Sequence, residues 1–447
     1  MNHKTQKVFG TDGIRGKVGE HPMTIDFAMR LASSISKVIT PNGGKVAIGK
    51  DTRISGYMFE SALESAFVAH GLEVILLGPL PSPAIAYYTI KQKCDFGIVI
   101  SASHNSYEYN GIKIINHLGE KIDRETESII ESKLTDTPIT KTAESLGKAK
   151  ISNTSRTLYK SLLMTIFSDI DNNLPLKGYK IVVDASNGAA YKIAPQVFLD
   201  LGADVIPIAC SPNGKNINLD CGSTHPEILR KTVTATESNL GIALDGDADR
   251  ILIVDESGNT LDGDQILYIL AKANISNKSF NHKVIGTITS NSGLERKLKE
   301  MNIDFYRSNV GDKNVFSLMK KTGAIIGGES SGHIINSEFS PTGDALLTAL
   351  IVIRESIIKD TKISELTDDL ELLPVLHENI NVENIAHHNE SLLTELADRI
   401  NSENKDGRVI IRPSGTEPVI RISIEHKDQK TAESILETIR KDIVGNG

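Results

Sequence analysis

The strongest constraint on the fold is an internal repeat that runs through most of this 447-residue chain. Three segments share one order of elements: a strand, a loop, a helix, a second strand, another helix and a third strand. The first strands are short apolar runs at 45–48, 180–183 and 283–285. Buried apolar strands that alternate with amphipathic helices are typical of parallel sheets covered by helices. The repeat therefore predicts three related α/β domains.

The third strand of each repeat runs into a polar loop with its own chemistry. Residues 97–100 lead into SASHN, 241–244 into DGDADR and 323–326 into GGESSGH. In open α/β sheets, ligands bind beyond the carboxyl ends of the strands. Three related domains would then direct three different loops toward one shared site. The alternative is that all three loops are ordinary turns, which are also rich in glycine, serine and asparagine.

The last part of the chain departs from the repeat. Strands at 408–411 and 419–424 and a helix over 429–444 predict a small α+β domain. The polar stretch 135–153 is typical of a connection between domains. The predicted domain ranges are 1–153, 154–254, 255–369 and 370–447.

Charge and composition exclude several classes of partner. The net charge is −8 and no block rich in lysine or arginine occurs, so nucleic-acid binding is not expected. No apolar run approaches the roughly 20 residues that span a bilayer, and the start of the chain lacks the apolar core of a signal peptide. The three cysteines are far apart, which suits free thiols in a reducing compartment. We expect a cytoplasmic protein without a membrane partner, and the sequence leaves a homodimer open.

The loop DGDADR at 245–250 predicts a metal site. In a near-extended loop alternate side chains point the same way, so Asp245, Asp247 and Asp249 converge. Ligand sets made of oxygen alone select a hard cation such as Mg²⁺ and leave positions for a phosphate oxygen. An EF-hand is excluded because Arg250 stands where the Ca²⁺ loop needs glycine, and an apolar strand follows. A solvated acidic turn remains the alternative.

Ser103 follows a buried strand, where its hydroxyl could be a nucleophile, a phosphate carrier or a helix cap. A serine–histidine pair is not expected, because neighbouring side chains diverge in extended backbone and His104 would point away. The sequence also lacks a G-x-S-x-G elbow at this point. The residues alone leave the three roles of Ser103 open.

Two further loops offer groups for a phosphorylated sugar. Glu329, Ser331 and His333 in GGESSGH suit hydrogen bonds to vicinal hydroxyls, although a solvated turn is equally possible. The run RPSGT predicts an anion nest, in which backbone amides, hydroxyls and a guanidinium surround a phosphate; a plain turn is the alternative. The candidate anion-binding residues are Arg412, Ser414, Gly415, Thr416 and Arg421.

Two cations lie beside glycine turns near these loops in the sequence. Arg15 belongs to FGTDGIRG, and Lys113 follows the turn at Asn110 and Gly111. Either could stabilise a transferring phosphoryl group or carry a proton. The alternative is that both are solvated surface residues.

The ordered combination of these segments is more specific than any one of them. FGTDGIRG at 9–16, SASHN with NGIK at 101–113, DGDADR at 245–250, GGESSGH at 327–333 and RPSGTEP at 412–418 occur in one chain. The whole chain thus resembles the α-D-phosphohexomutase superfamily. The opening segment and CGSTHPE at 221–227 are most similar to its bacterial branch that acts on glucosamine phosphates. The resemblance implies three α/β domains with mixed or parallel sheets and a C-terminal α+β, TATA-box-binding-protein-like domain around a central cleft.

The resemblance also implies a role for each matched position. Ser103 would be phosphorylated, and one Mg²⁺ would be bound by that phosphate with Asp245, Asp247 and Asp249. The residues that bind sugar hydroxyls would be Glu329 and Ser331. The residues that hold the non-reacting phosphate would be Arg412, Ser414, Gly415 and Thr416. The residues that assist proton transfer or stabilise charge would be Arg15, Lys113, Arg250 and His333.

The implied activity interconverts glucosamine 6-phosphate and glucosamine 1-phosphate through the phosphoserine and a glucosamine or glucose 1,6-bisphosphate, for UDP-N-acetylglucosamine synthesis. Mutases of glucose or mannose phosphates are the main alternative; a non-catalytic sensor and a magnesium phosphatase are weaker ones.

Two positions depart from the superfamily pattern. Ser106 stands where proline usually follows ASHN, which predicts a less stiff loop, and Lys313 stands where arginine is expected. They bear on fine specificity and leave the class of reaction unchanged.

Overall fold

The first unit of the fold is built on a six-stranded sheet. The structure is a computed structural model that describes residues 7–170, 174–381, 390–404, 407–413 and 419–444. The strands of the first unit are β1 (Ile14–Lys17), β2 (Lys45–Lys50), β3 (Glu73–Pro79), β4 (Phe96–Ile100), β5 (Tyr109–Asn116) and β6 (Lys148–Ile151). Its helices are α1 (Ile25–Ile39), α2 (Ile54–Ala69), α3 (Ser82–Lys91) and α4 (Arg124–Ser132). The strand order is β1-β5-β4-β2-β3-β6.

The second unit has a five-stranded sheet. Its strands are β7 (Lys180–Asp184), β8 (Asp204–Ile208), β9 (Leu240–Leu244), β10 (Ile251–Asp255) and β11 (Thr260–Leu261). Its helices are α5 (Ser155–Met164), α6 (Ile193–Asp200) and α7 (Glu227–Ala235). The strand order is β11-β10-β9-β7-β8.

The third unit has a four-stranded sheet. Its strands are β12 (Lys283–Thr287), β13 (Asp304–Ser308), β14 (Ile326–Gly328) and β15 (Ile334–Asn336). Its helices are α8 (Gly263–Ala273), α9 (Ser292–Glu300), α10 (Asp312–Thr322) and α11 (Ala345–Lys359). The strand order is β13-β12-β14-β15.

The fourth unit is a three-stranded antiparallel sheet with two helices. Its elements are β16 (Val375–Asn381), α12 (Glu390–Glu403), β17 (Gly407–Pro413), β18 (Val419–His426) and α13 (Gln429–Val444). The strand order is β16-β18-β17. Among the helices in the described ranges, none is long and apolar enough to cross a membrane.

The first three sheets share one arrangement, which confirms the repeat predicted from the sequence. In each sheet the strand that ends the repeat lies beside the first strand and the first beside the second, all parallel. These triplets are β4-β2-β3, β9-β7-β8 and β14-β12-β13. An antiparallel strand, β5, β10 or β15, then pairs with the last strand of the repeat. The sheets are therefore mixed, and each polar loop connects two antiparallel neighbours instead of leading into a helix.

Helix α11 holds the second and third units together. Its sequence, ALLTALIVIRESIIK, is apolar on most sides, and every residue from Ala345 to Ile353 is buried. A helix with apolar residues all round is stable when other elements enclose it. Helix α11 packs against α5 and β10 of the second unit and against α8 and β15 of the third. The apolar core around it continues into the first unit, so packing fixes how the three polar loops face one another.

Polar contacts attach the fourth unit to the third. Glu425, buried on β18, accepts hydrogen bonds from the amide (3.0 Å) and hydroxyl of Ser292 at the start of α9. A carboxylate at a helix N-terminus is stabilised by the free amides and the helix dipole. Asn291 exchanges hydrogen bonds with the backbone of Leu373, at 2.8 and 2.9 Å. The strand that carries the predicted phosphate loop is thus tied to the third unit.

Two details differ from what the sequence predicts. Strand β14 begins at Ile326 and not at Gly323, because Gly323 ends α10 with a left-handed backbone (φ 74°). The second sheet continues past residue 254 to β11, which pairs with β10. This pairing favours a domain boundary after Leu261, and the exact domain ranges stay predictions.

Candidate active site

Ser103 lies in the loop between β4 and β5, and its side chain points at the acidic loop of the second unit. Its hydroxyl donates a hydrogen bond to Asp245 Oδ2, and its amide donates to Ser101 Oγ at 2.9 Å. Ser103 is buried and has a left-handed backbone, with φ of 53°. This backbone turns the His104 ring toward it, so that Nδ1 lies 3.4 Å from Ser103 Oγ. The expectation that His104 points away is therefore wrong, because it assumed extended backbone.

The three aspartates of DGDADR converge, as predicted, although for a different reason. The loop is a tight turn in which Ala248 has a left-handed backbone, with φ of 56°. Asp245 Oδ1 accepts hydrogen bonds from the amides of Asp249 (3.1 Å) and Arg250 (3.2 Å). One oxygen each from Asp245, Asp247 and Asp249 lies within 4.8 Å of the others, and all three residues are buried. Turn geometry, and not alternation along an extended chain, brings them together.

The donor set fits a hard divalent cation. Oδ1 of Asp247 and Oδ1 of Asp249 are buried and have no hydrogen-bond partner. Burial and the neighbouring charges of Asp249 and Asp247 raise the pKa of Asp245 well above its usual range. Buried carboxylates need a compensating positive charge, and oxygen ligands are what Mg²⁺ prefers. The three aspartates would hold such an ion, with room for an oxygen on Ser103.

Lys113 supplies a permanent positive charge to this acidic turn. Its Nζ lies 2.8 Å from Asp247 Oδ2, 3.2 Å from Asp249 Oδ2 and 3.1 Å from Asp12 Oδ2. Burial lowers the pKa of Lys113, but the carboxylates of Asp12, Asp247 and Asp249 raise it well above its usual range. The ammonium therefore stays charged, which suits stabilisation of a phosphoryl group and does not suit a general base.

A second set of charges surrounds this centre, and the sequence analysis named only Arg15 among them. Asp12 pairs with Arg15 and with Lys121, and Lys121 also pairs with Asp312 of the third unit. Arg15 Nη1 donates to the carbonyl of Ala102, 3.4 Å away, beside Ser103. Asp12 could have been recognised from the sequence, because it lies inside the motif FGTDGIRG. Nothing local in the sequence distinguishes Lys121 or Asp312.

His333 connects the acidic turn with the same charges. Its Nδ1 lies 3.6 Å from Asp249 Oδ1 and its Nε2 lies 3.6 Å from Asp312 Oδ2. The amide of Gly343 also faces Nε2, at 3.2 Å. Burial lowers the pKa of His333, but Asp249 and Asp312 more than offset this and raise it. His333 therefore lies between the metal loop of the second unit and Asp312 of the third, and its role in proton transfer stays a prediction.

The loop of the third unit carries Glu329, whose charge acts on Arg250 of the second unit. Glu329 is buried, and its Oε1 accepts a hydrogen bond from the amide of Gly311 at 2.9 Å. Burial lowers the pKa of Arg250, but Asp249, Asp245 and Glu329 raise it above its usual value. Ser331 is exposed on the same loop. The charges of Arg250 and Glu329 therefore favour each other across the second and third loops.

The fourth unit contributes two arginines on neighbouring strands. Arg412 on β17 and Arg421 on β18 are direct cross-strand partners. Burial and the charge of Arg421 lower the pKa of Arg412, and the carboxylate of Glu329 raises it. Arg412 is thus electrostatically linked to the sugar-binding candidate of the third unit. The other predicted phosphate ligands, Ser414, Gly415 and Thr416, lie outside the described residues.

Ser106 and Lys313, the two departures from the superfamily pattern, lie at the edge of the site. Ser106 has an exposed side chain, and its carbonyl accepts a hydrogen bond from Arg53. Lys313 pairs with Glu127 of α4 and so bridges the third and first units. Neither side chain contacts the aspartates or Ser103 among the interactions of the described residues.

Comparison with known proteins agrees with the fold. Four family models match the chain in order: the phosphoglucomutase/phosphomannomutase alpha/beta/alpha domains I (residues 6–139), II (161–258) and III (262–372), and the C-terminal domain (378–442). The chain therefore belongs to the phosphoglucomutase/phosphomannomutase family, within the α-D-phosphohexomutases. A curated relative from Alcanivorax borkumensis, named phosphoglucosamine mutase, is 45% identical over 434 residues, which cover 96% of this chain and 97% of the relative.

Solved structures show the same fold at lower identity. A phosphoglucomutase/phosphomannomutase family protein from Burkholderia thailandensis has a TM-score of 0.82 at 22% identity, with 99% of this chain and 98% of that one covered. The N-acetylphosphoglucosamine mutase of Aspergillus fumigatus, solved with GlcNAc-6P and magnesium, has a TM-score of 0.67 at 18% identity, with 98% and 96% covered. The predicted fold class, three α/β units followed by an α+β domain, is confirmed.

Proposed function

We propose that this chain is an isomerase that interconverts glucosamine 6-phosphate and glucosamine 1-phosphate through a phosphorylated Ser103. The observation that carries the proposal is the hydrogen bond from Ser103 Oγ to Asp245, inside a triad of buried carboxylates and next to Lys113. Mere binding of a sugar phosphate needs no hydroxyl aimed at an acidic triad. The name of the 45%-identical relative supports glucosamine over glucose or mannose as the sugar.

The chemistry is a pair of phosphoryl transfers that balance. A sugar hydroxyl oxygen bonds to the phosphorus on Ser103 while the bond from phosphorus to Oγ breaks, and Oγ takes the proton that the hydroxyl gives up. The resulting 1,6-bisphosphate turns around, and its other phosphoryl group returns to Ser103. Arg15 and Lys113 offset the negative charge on the moving oxygens, which is the main contribution a protein makes to such transfers.

The remaining residues hold the substrate and the metal. Mg²⁺, bound by Asp245, Asp247, Asp249 and the phosphoserine, would neutralise charge on the phosphoryl oxygens. Glu329 and Ser331 would bind sugar hydroxyls. Arg412 and Arg421, with the loop 414–416, would hold the phosphate that does not react. The candidates for carrying the proton are His104, whose Nδ1 lies 3.4 Å from Ser103 Oγ, and His333, whose Nδ1 lies 3.6 Å from Asp249 Oδ1.

The proposal extends to the cellular setting. The product would supply UDP-N-acetylglucosamine and, through it, peptidoglycan precursors in the cytoplasm. A glucosamine or glucose 1,6-bisphosphate would restore phosphorylated Ser103 when an intermediate escapes. Whether two copies of the chain associate stays a prediction.

The test is a mutase assay with Mg²⁺ that compares glucosamine, glucose and mannose 6-phosphates. Wild type should prefer glucosamine 6-phosphate, and Ser103→Ala should lose at least about 10³-fold in kcat, because it removes the phosphate carrier. Ser132→Ala, an exposed serine on α4, is the matched control and should keep full activity. Turnover that survives in Ser103→Ala would overturn the phosphoserine mechanism. Stoichiometric release of inorganic phosphate would show a phosphatase instead.

A further inference from the structure

Arg53 is a fully buried arginine whose two terminal nitrogens, Nη1 and Nη2, donate hydrogen bonds to the loop that carries Ser103. Its exposed fraction is 0%, which is rare for arginine unless every donor finds a partner. Nη2 donates to the carbonyls of Ser103 (2.9 Å) and Asn105 (2.8 Å). Nη1 donates to the carbonyl of Tyr109 (3.1 Å) and to that of Ser106. One side chain of α2's N-terminal cap thus holds four carbonyls of a single loop.

Asn218 binds the same loop from the second unit. Its Nδ2 donates to the carbonyl of Ser103 at 2.9 Å and to that of Asn105 at 3.0 Å, so it shares both acceptors with Arg53. A carbonyl oxygen has two lone pairs, and both are now used at each position. Asn218 is itself fixed, because its amide donates to the carbonyl of Ser186 at 2.9 Å. We call Arg53, Asn218 and these two carbonyls the carbonyl clamp.

The clamp coincides with the unusual backbone of Ser103. A left-handed φ of 53° is unfavourable for serine and persists only when surrounding contacts impose it. Asp51 completes the restraint: its Oδ2 pairs with Arg53 Nε (2.8 Å) and accepts from Ser101 Oγ (2.6 Å). Ser101 Oγ in turn accepts from the amide of Ser103 at 2.9 Å. Both peptide planes that flank Ser103 are therefore held by buried polar groups.

We propose that Arg53 and Asn218 are positioning residues for phosphoryl transfer: they impose the left-handed backbone that aims Ser103 Oγ at Asp245. The inference rests on the proposed function, since it assigns the clamp to the step in which phosphorus leaves or returns to Oγ. Neither side chain is among the residues that the proposed function assigns to the sugar, so their effect should fall on the rate of transfer and spare substrate binding. Because Asn218 belongs to the second unit, the clamp also sets the first unit's loop against the second unit's acidic turn.

Asn218→Ala tests the clamp. It should lower kcat by roughly 10- to 100-fold, because a misaligned reacting group loses about this much, while KM for glucosamine 6-phosphate stays within about 3-fold. Phosphorylated Asn218→Ala should also lose more of its phosphoryl group to water per turnover, and the ³¹P resonance of the phosphoserine should broaden. Asn216→Ala is the matched control: within the part of the chain that the structure describes, its side chain bonds to Ser211 and Asn213 of the same loop and not to the loop of Ser103. It should leave all three readouts unchanged.

Arg53→Lys gives a second measurement that keeps the charge beside Asp51 but cannot hold four carbonyls. It should show the same loss of kcat with unchanged KM, and an unchanged melting temperature would exclude simple unfolding. Wild-type kcat in Asn218→Ala, or an equal loss in Asn216→Ala, would overturn the clamp. These outcomes are distinct from failure of the proposed function, which is judged from wild type and Ser103→Ala.

Discussion

Arg412 on β17 and Arg421 on β18 stand directly opposite each other in the antiparallel sheet of the fourth unit. Like charges in this relationship repel each other, and an anion bound beside both guanidiniums would offset that repulsion. Two adjacent guanidiniums match the oxygens of a phosphate group. The phosphate that does not react is the anion that the proposed function supplies.

Arg412→Gln should therefore weaken substrate binding while leaving the fold intact. Loss of a charged hydrogen bond costs about 1.5–3 kcal/mol, so KM for glucosamine 6-phosphate should rise roughly 10- to 100-fold. The melting temperature should stay level or rise slightly, since repulsion from Arg421 is relieved. Steady-state kinetics and thermal unfolding check both parts. Arg399→Gln, an exposed arginine of the same unit, is the control; an unchanged KM in Arg412→Gln would remove Arg412 from the phosphate site.

Removal of the metal should be visible as a loss of stability as well as of activity. Asp247 and Asp249 each keep a buried oxygen without a hydrogen-bond partner, which a cation would satisfy. A ligand at about 100 times its Kd stabilises the folded state by about 2.7 kcal/mol. The melting temperature of wild type should therefore rise with Mg²⁺ and fall with a chelator.

Asp247→Asn should abolish this Mg²⁺-dependent rise and lower kcat, on the order of 10³-fold, because a ligand of the charge-stabilising ion is lost. Asp204→Asn, an exposed position on β8, should respond to Mg²⁺ as wild type does. A melting temperature that rises equally with Mg²⁺ in Asp247→Asn would place the metal elsewhere.

The sequence predicted which groups lie together better than it predicted the contacts they make. Ser103 and the three aspartates are recognisable because each follows a buried strand of the repeat. The contacts of Ser103 with Arg53 and Asn218 could not be predicted, since they join residues that are far apart in sequence and depend on a left-handed backbone. The same backbone reversed the expectation for His104. The sequence pattern therefore identifies which groups lie near one another, whereas the local backbone dihedral angles determine which of their atoms are in contact.

The helices and strands were predicted correctly where the hydrophobic pattern of the sequence was strong. The repeat located β2, β7 and β12 at their observed starts, because buried parallel strands are continuous apolar runs. Strand β14 was misplaced because glycine at 323 fits a strand pattern and a helix end equally well, and only its positive φ decides. The ion pair between Lys121 of the first unit and Asp312 of the third could not be predicted, because no local sequence motif distinguishes either residue.

The pH dependence of stability should reveal a buried acid outside the site. Asp344 is 1% exposed, caps α11 and accepts a hydrogen bond from the Tyr159 hydroxyl at 2.6 Å. Burial raises the pKa of Asp344 to about 6, although Tyr159 and backbone amides lower it. The folded state therefore holds this proton more tightly than the unfolded chain, so the contribution of Asp344 to stability falls as the pH rises toward 6 and is constant above about 7.

Asp344→Asn removes this titration. Relative to wild type, its stability should improve by about 1–2 kcal/mol between pH 5 and pH 7.5, because one pKa unit corresponds to about 1.4 kcal/mol. Urea unfolding at the two pH values measures the difference. Tyr159→Phe removes a hydrogen-bond donor that lowers the pKa of Asp344, so the pKa of Asp344 in this variant should be higher. The fall in stability with rising pH should therefore continue to a higher pH in Tyr159→Phe than in wild type. A difference between wild type and Asp344→Asn that does not change with pH would contradict the assignment.

Lys313 is the position where the chain departs from the superfamily pattern in the third domain, and its structure predicts a small effect. Its ammonium pairs with Glu127 across the boundary between the first and third units, and the side chain is partly exposed. Lys313→Arg keeps a cation beside Glu127, so it should change stability by less than about 1 kcal/mol. The ratio of kcat/KM for glucosamine 6-phosphate over glucose 6-phosphate should stay within about 2-fold of wild type. Glu329→Gln, which alters a predicted sugar ligand, should shift that ratio or kcat/KM itself far more. A tenfold change of the ratio in Lys313→Arg would mean that this side chain leaves Glu127 and reaches the sugar during the reaction.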